Sequence, residues 1–104
     1  MKTKITDDEI VRKYIQLKTS AVNRNLQFNM SLKHIKRLLT RKTCYYTGVL
    51  FSKKVPELKK TIDRIDGSKG YTDDNTVACT QRINIFKSNL TPKEIKQLYN
   101  KLKT

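Results

Sequence analysis

Acidic residues are scarce in this chain. Nine Asp and Glu stand against 23 Lys and Arg, which leaves a formal net charge of +14. An excess of that size repels itself in the folded state and is most easily tolerated where a polyanion neutralises it. Cysteine is also sparse: Cys44 and Cys79 are the only two. A small secreted domain usually carries more of them, in pairs, so both are read as reduced thiols packing like small hydrophobes. No apolar run reaches the length of a bilayer span, so no membrane partner is expected. The start, Met1-Lys2-Thr3-Lys4-Ile5-Thr6, is basic but has no apolar stretch behind it. It is not a signal peptide, and a cytoplasmic location is expected. With 104 residues and 37% hydrophobic content, the chain is expected to form one domain, 1–104, around a small core.

Neither an internal repeat nor a low-complexity linker interrupts the sequence. Thr6-Asp7-Asp8-Glu9 has the form of a capping box, with acids suited to a helix N-terminus. Ile10, Tyr14, Leu17 and Ala21 follow at helical spacing, which predicts a helix from about Asp7 to the low twenties. Asn23–Asn29 reads as a turn and an extended piece. Ser31 can cap a second helix whose apolar stripe is Leu32, Ile35, Leu38 and Leu39. These two helices make a lead-in over about 7–40.

The texture then changes. Cys44–Phe51 is aromatic and β-branched around Gly48, which predicts a hairpin or knuckle, with a loop at Lys53–Pro56. Thr61–Ile65 reads as a strand, Asp66–Gly70 as a loop and Asn75–Ala78 as a second strand. A helix is expected from about Cys79 to Ser88 with Ile83 and Phe86 inward. A last helix, about 92–102, opens on Thr91-Pro92-Lys93-Glu94 and presents Ile95, Leu98, Tyr99 and Leu102. The class is α+β, in the order α-α, β-β-α, α.

The run from Thr61 to Leu90, TIDRIDGSKGYTDDNTVACTQRINIFKSNL, resembles the HNH (ββα-metal) endonuclease motif. The variant is the small phage-type one, with Asp-Arg-Ile-Asp in place of Asp-His. SAVNRNLQFNMSLKHIKRLL and CYYTGVLF resemble the helical lead-in and first knuckle of the same proteins, so the likeness covers about residues 14 to 90. It implies a ββα core over about 44–90 and a divalent-metal-dependent endonuclease hydrolysing phosphodiesters. Mg²⁺ or Mn²⁺ would be held by Asp63 and Asn84. Asn75 corresponds to the middle Asn, although a loop tether suits it better than a substrate contact. DNA, most naturally duplex, is the implied partner, with RNA as a second candidate. Such a short chain would need a homodimer or a partner for sequence-specific cutting. A phage-encoded protein would act in the host cell.

Two departures from the pattern bear on chemistry. Arg64 stands where the family carries its general base, and a guanidinium cannot take up that role. It can clamp phosphate instead. The one histidine, His34, lies outside the motif. Asp66 and Tyr71 are the local candidates for activating water. The second departure is in the knuckles, each of which has a single cysteine. Two thiolates cannot close a tetrahedral site, so structural zinc is not expected, and Tyr45, Tyr46 and Val77 are read as packing. Arg64, Lys69, Arg82 and Lys87 are the expected nucleic-acid contacts. The alternative to cleavage is a catalytically degenerate HNH-fold protein that binds DNA, or one that docks on and inhibits a host protein.

Overall fold

The computed structural model describes residues 4–86 and 91–103. Helix α1 (Asp7–Asn23) starts on a closed capping box. Thr6 Oγ1 accepts from the Glu9 amide at 3.2 Å, and Glu9 Oε1 accepts from the Thr6 amide at 3.0 Å. Two polar groups of the helix entry are thereby satisfied. Ile10, Leu17 and Ala21 are buried and Tyr14 packs beside them. Past the helix, Asn25 takes a left-handed φ of 57°, a conformation Asn tolerates better than most residues. The chain then extends into β1 (Phe28–Asn29).

Ser31 caps α2 (Leu32–Thr40) by accepting from the His34 amide at 3.0 Å. Its own amide and hydroxyl donate to the Asp73 carboxylate at 3.0 and 2.9 Å, tying the helix start to a distant turn. Burial works to raise the Asp73 carboxyl. The two Ser31 hydrogen bonds, with the charges of His34 and Arg37, outweigh it and hold the group below the usual carboxylate range. Ile35 and Leu38 are buried as expected, but Leu32 is 52% exposed. At 3.6 residues per turn it lies about 90° around the helix from the centre of the Ile35–Leu38 line.

A knuckle follows α2. Thr43 bridges Leu50, the Cys44 amide donates to Val49 O at 2.8 Å, and Gly48 turns the chain at φ 76°. The Tyr45 amide donates to Ala78 O at 2.9 Å, which docks the knuckle on strand β4 (Thr76–Thr80). Strand β2 (Lys60–Arg64) pairs antiparallel with β4, from Lys60 opposite Thr80 to Arg64 opposite Thr76. Lys60 Nζ donates to Leu38 O and Leu39 O, so this strand also caps the C-terminal end of α2.

Between the expected loop and second strand lies a further strand, β3 (Tyr71–Thr72), which pairs parallel with β1. Two residues carry no readable alternation. What allows the pairing is Gly70, where a Cβ would lie 2.3 Å from Gln27 O.

The β2–β4 hairpin separates two hydrophobic clusters. Ile62 and its cross-strand partner Ala78 join Ile10, Leu17, Ala21, Met30, Ile35, Leu38 and Tyr71. Val77, Cys79 and the flanking Ile65 join Cys44, Tyr46, Ile83 and Ile95. Helix α3 (Gln81–Phe86) begins after the expected Cys79, which belongs to β4 and is fully buried. Helix α4 (Pro92–Lys103) opens on a second reciprocal cap, Thr91 with Glu94. Ile95 is buried, whereas Leu98 is 48% exposed. The Phe86, Tyr99 and Leu102 side chains lie outside the described ones. Among the described residues no helix is long and apolar enough to cross a membrane.

Candidate functional site

Side chains alternate along β2, so Asp63 turns away from Ile62 and Arg64 and shares a face with Ile65. Ile62 packs against the N-terminal helices, not against α3. It is Ile65 that joins Ile83 of α3, and this puts Asp63 on the α3 side of the hairpin. There Tyr46 Oη donates to Asp63 Oδ2 at 2.7 Å.

Tyr46 is only 3% exposed. Burial, the hydrogen bond to Asp63 and the carboxylate's charge together push its phenol well above the usual tyrosine range. It stays a proton donor and orients Asp63. Sequence reasoning took Tyr46 for packing alone. The available signal was a hydroxyl-bearing ring in a segment docked on the strand, because a buried tyrosine usually finds a partner for its O–H.

Among the described residues β2 pairs with β4 alone, and an open cleft of about 930 Å³ runs along its other edge. Asp63, Arg64 and Tyr71 line this cleft, together with Asn84 of α3 and a row of α1 side chains. Asn84 is exposed and lines the cleft. The Asp63 carboxylate and the Asn84 carboxamide, lining an open cleft, are oxygen donors. They suit a hard cation such as Mg²⁺, which usually keeps several waters and takes one or two carboxylates together with substrate phosphates.

Arg64 is engaged in shaping the site. Nη1 donates to Gly67 O at 2.6 Å and Lys69 O at 2.8 Å, and the guanidinium lies 5.4 Å from the Tyr71 ring centroid. Tyr71 is buried within the N-terminal cluster. Asn75 pins the same loop: Nδ2 donates to Gly70 O at 2.8 Å and Oδ1 accepts from the Asp66 amide at 2.9 Å. This is the tether expected of it. Asp66 Oδ1 accepts from the Ser68 amide and hydroxyl at 2.9 and 2.6 Å, closing the turn. Arg64, Asp66, Tyr71 and Asn75 thus act together on the 66–71 loop beside the cleft.

Lys69 and Arg82 are exposed and lie outside the cleft. Lys87 lies outside the described residues. His34 Nε2 meets Thr76 Oγ1 at 2.9 Å. Because that hydroxyl donates to Thr72 O at 2.8 Å, His34 is the donor and holds α2 to β4. Cys44 and Cys79 are buried in one cluster with Tyr46 and Val77. Burial works to raise the Cys44 thiol, but hydrogen bonds from Thr47 and from nearby backbone amides outweigh it and hold the thiol below its ordinary range. Among the described residues no three His, Cys, Asp or Glu side chains are grouped to hold a metal.

The fold has a counterpart among solved structures. The rare-cutting HNH restriction endonuclease PacI superposes with a TM-score of 0.68 at 15% identity, over 90% of this chain and 76% of that one. The fold is HNH-like. In sequence, the chain is 31% identical over 87 residues to the uncharacterized 29.0 kDa protein of the dda–modA intergenic region of enterobacteria phage T4. That match takes in 84% of this chain and 35% of the T4 protein, so the chain spans about a third of its relative's length. No family model matches.

Proposed function

We propose that the chain is a divalent-metal-dependent nuclease of HNH fold that hydrolyses phosphodiesters in DNA. The observation that carries this reading is the cleft along β2, where Asp63 and Asn84 stand with Arg64 in a chain of net charge +14. Asp63 and Asn84 would hold the cation. A bound cation stabilises the charge that builds on the phosphorane and the leaving oxygen. Tyr46 keeps the Asp63 carboxylate in one orientation through its 2.7 Å hydrogen bond. Arg64 holds the loop that borders the cleft and offers positive charge to a phosphate. Duplex DNA is the favoured substrate and RNA the second candidate. The chain would act in the cytoplasm of a phage-infected host, as a homodimer or with a host partner where sequence-specific cutting is required.

A specific observation favours a second reading, a DNA-binding or host-protein-docking module that keeps the fold without cleavage. Arg64 occupies the general-base place, His34 is held by Thr76, and the Tyr46 phenol is pushed up.

One experiment separates the two. The purified chain is incubated with plasmid, single-stranded DNA and RNA in Mg²⁺, Mn²⁺ or EDTA, beside Asp63→Ala. Metal-dependent cleavage that falls about 100-fold or more in the variant, with DNA binding retained, supports the nuclease. Binding without cleavage in either metal leaves the non-catalytic module.

A further inference from the structure

The cleft has two walls, and only the one carrying Asp63 has been given a role. The other is α1. At 3.6 residues per turn Lys13, Gln16, Ser20 and Arg24 fall within an arc of about 80°, and all four line the cleft. The arc borders the line of Ile10, Leu17 and Ala21, which the core buries, so packing fixes the direction in which it looks.

All four side chains carry donors. Lys13 Nζ donates to Gln16 Oε1 at 2.7 Å, which leaves the amide nitrogen of Gln16 as the end able to donate into the cleft. Ser20 adds a hydroxyl and Arg24 a guanidinium. No acid occurs between Ile10 and Arg24, because the acids of α1 are confined to its first turn. Partial burial lowers the Lys13 ammonium below the usual lysine range. Among the described residues its hydrogen-bond partner is the neutral Gln16.

We propose that this α1 wall is a phosphate-holding surface: Lys13, Gln16, Ser20 and Arg24 bind the backbone of a nucleic-acid strand lying in the cleft opposite Asp63 and Asn84. The proposal rests on the nuclease reading only for the strand's being cut, not for its being held. Lys13 and Arg24 are eleven positions apart, about 16 Å along the helix axis. At a rise of 3.4 Å per phosphate of one strand, that distance covers about five phosphates. Of the cations that sequence pattern singles out, Arg64 lines the cleft, Lys69 and Arg82 do not, and Lys87 is outside the described residues.

The test is the salt dependence of duplex DNA binding, read by fluorescence anisotropy from 50 to 200 mM salt in EDTA. The proteins compared are the wild-type chain and Lys13→Gln with Arg24→Gln. A control pair, Arg12→Gln with Lys18→Gln, removes equal charge from exposed α1 positions outside the cleft. Each phosphate contact contributes about 0.9 to the slope of log K against log salt. The cleft pair is expected to lower the slope by nearly two and the affinity at 50 mM at least tenfold, with the thermal midpoint unchanged. The control pair should keep a slope near that of wild type. Lys13→Arg should restore the contact that Lys13→Gln removes. An unchanged slope in the cleft pair overturns the proposal, as does an equal loss in the control pair, which would mean that diffuse charge alone binds. Absence of cleavage by the wild-type chain in Mg²⁺ or Mn²⁺ defeats the nuclease reading and leaves the slope comparison standing.

Discussion

The two clusters on either side of the β2–β4 hairpin are built from different material. The first is mainly aliphatic side chains delivered by two capped helices, Ile10, Leu17, Ala21, Ile35 and Leu38, with Met30, Tyr71 and Ala78 packed against them. The second is assembled from single residues of a knuckle, a strand and two helices: Cys44, Tyr46, Val77, Cys79, Ile83 and Ile95. The first holds the fold by periodic burial. The second holds Asp63, through Tyr46, at the edge where the cleft opens. The hairpin belongs to both, because alternation sends Ile62 one way and Ile65 the other. The proposed chemistry thus sits on the irregular side, and the regular side gives that hairpin something fixed to lie on.

Matched truncations of the two centres test whether that shared hairpin makes one cooperative unit. Ile35 and Ile83 are 0% and 1% exposed, one in each cluster. Each alanine substitution should remove about 2–5 kcal/mol, the transfer term plus the cavity left behind. Far-UV circular dichroism and tyrosine fluorescence should follow one urea transition in either variant. Two separate transitions in Ile83→Ala, with the helices of the first cluster surviving, would show that the clusters fold independently.

The smaller effects begin with Tyr46→Phe, which keeps the ring and deletes the donor to Asp63. Losing a hydrogen bond to a charged group should cost about 1–2 kcal/mol. Since the folded state raises this phenol, the stability it contributes is present below the unfolded tyrosine value of about 10 and is lost as pH rises above it. The difference in phenolate absorbance between wild type and variant should therefore emerge only above that value while the protein stays folded. Cleavage, if measured, should drop about 10- to 100-fold, as expected when the group orienting a metal ligand is removed. A phenolate signal from Tyr46 at or below pH 10 would contradict the orienting role.

The contrast between clusters also explains what could be read from the residues. Caps and 3.6-residue periodicity mark α1, α2 and the start of α4, since Thr6, Ser31 and Thr91 each announce themselves locally. The ββα unit was legible through the resemblance around Thr61–Leu90 and not through any period. Several features were not legible. Strand β3 has only two residues, and its partner β1 lies some forty positions away. Tyr46 reaches Asp63 across seventeen positions. The direction of Ile62 depends on which neighbour covers each face of the hairpin. The α1 wall of the cleft is a by-product of how α1 docks, so Lys13 and Arg24 look like ordinary solvated cations in the sequence.

The smallest effect expected belongs to the regular side, at the junction of α2 with the 72–76 turn. Asp73 accepts from the Ser31 amide and hydroxyl, joining a helix cap to a turn forty-two positions away. The site is largely solvent-accessible, so Asp73→Asn, which keeps one acceptor oxygen, should cost only about 0.5 kcal/mol near neutral pH. The sign with pH follows from the direction of the shift. The folded state holds this carboxyl below its unfolded value of about 3.9, so the unfolded chain binds the proton more readily. Asp73 contributes stability in full above that value and loses it as pH falls through the folded value. Urea midpoints of wild type and Asp73→Asn should accordingly differ most between pH 6 and 7 and converge toward pH 3. A gap that stays constant into acid would mean that Asn lacks a contact unrelated to charge. A gap that widens in acid would reverse the assignment of Asp73 as the ionised acceptor.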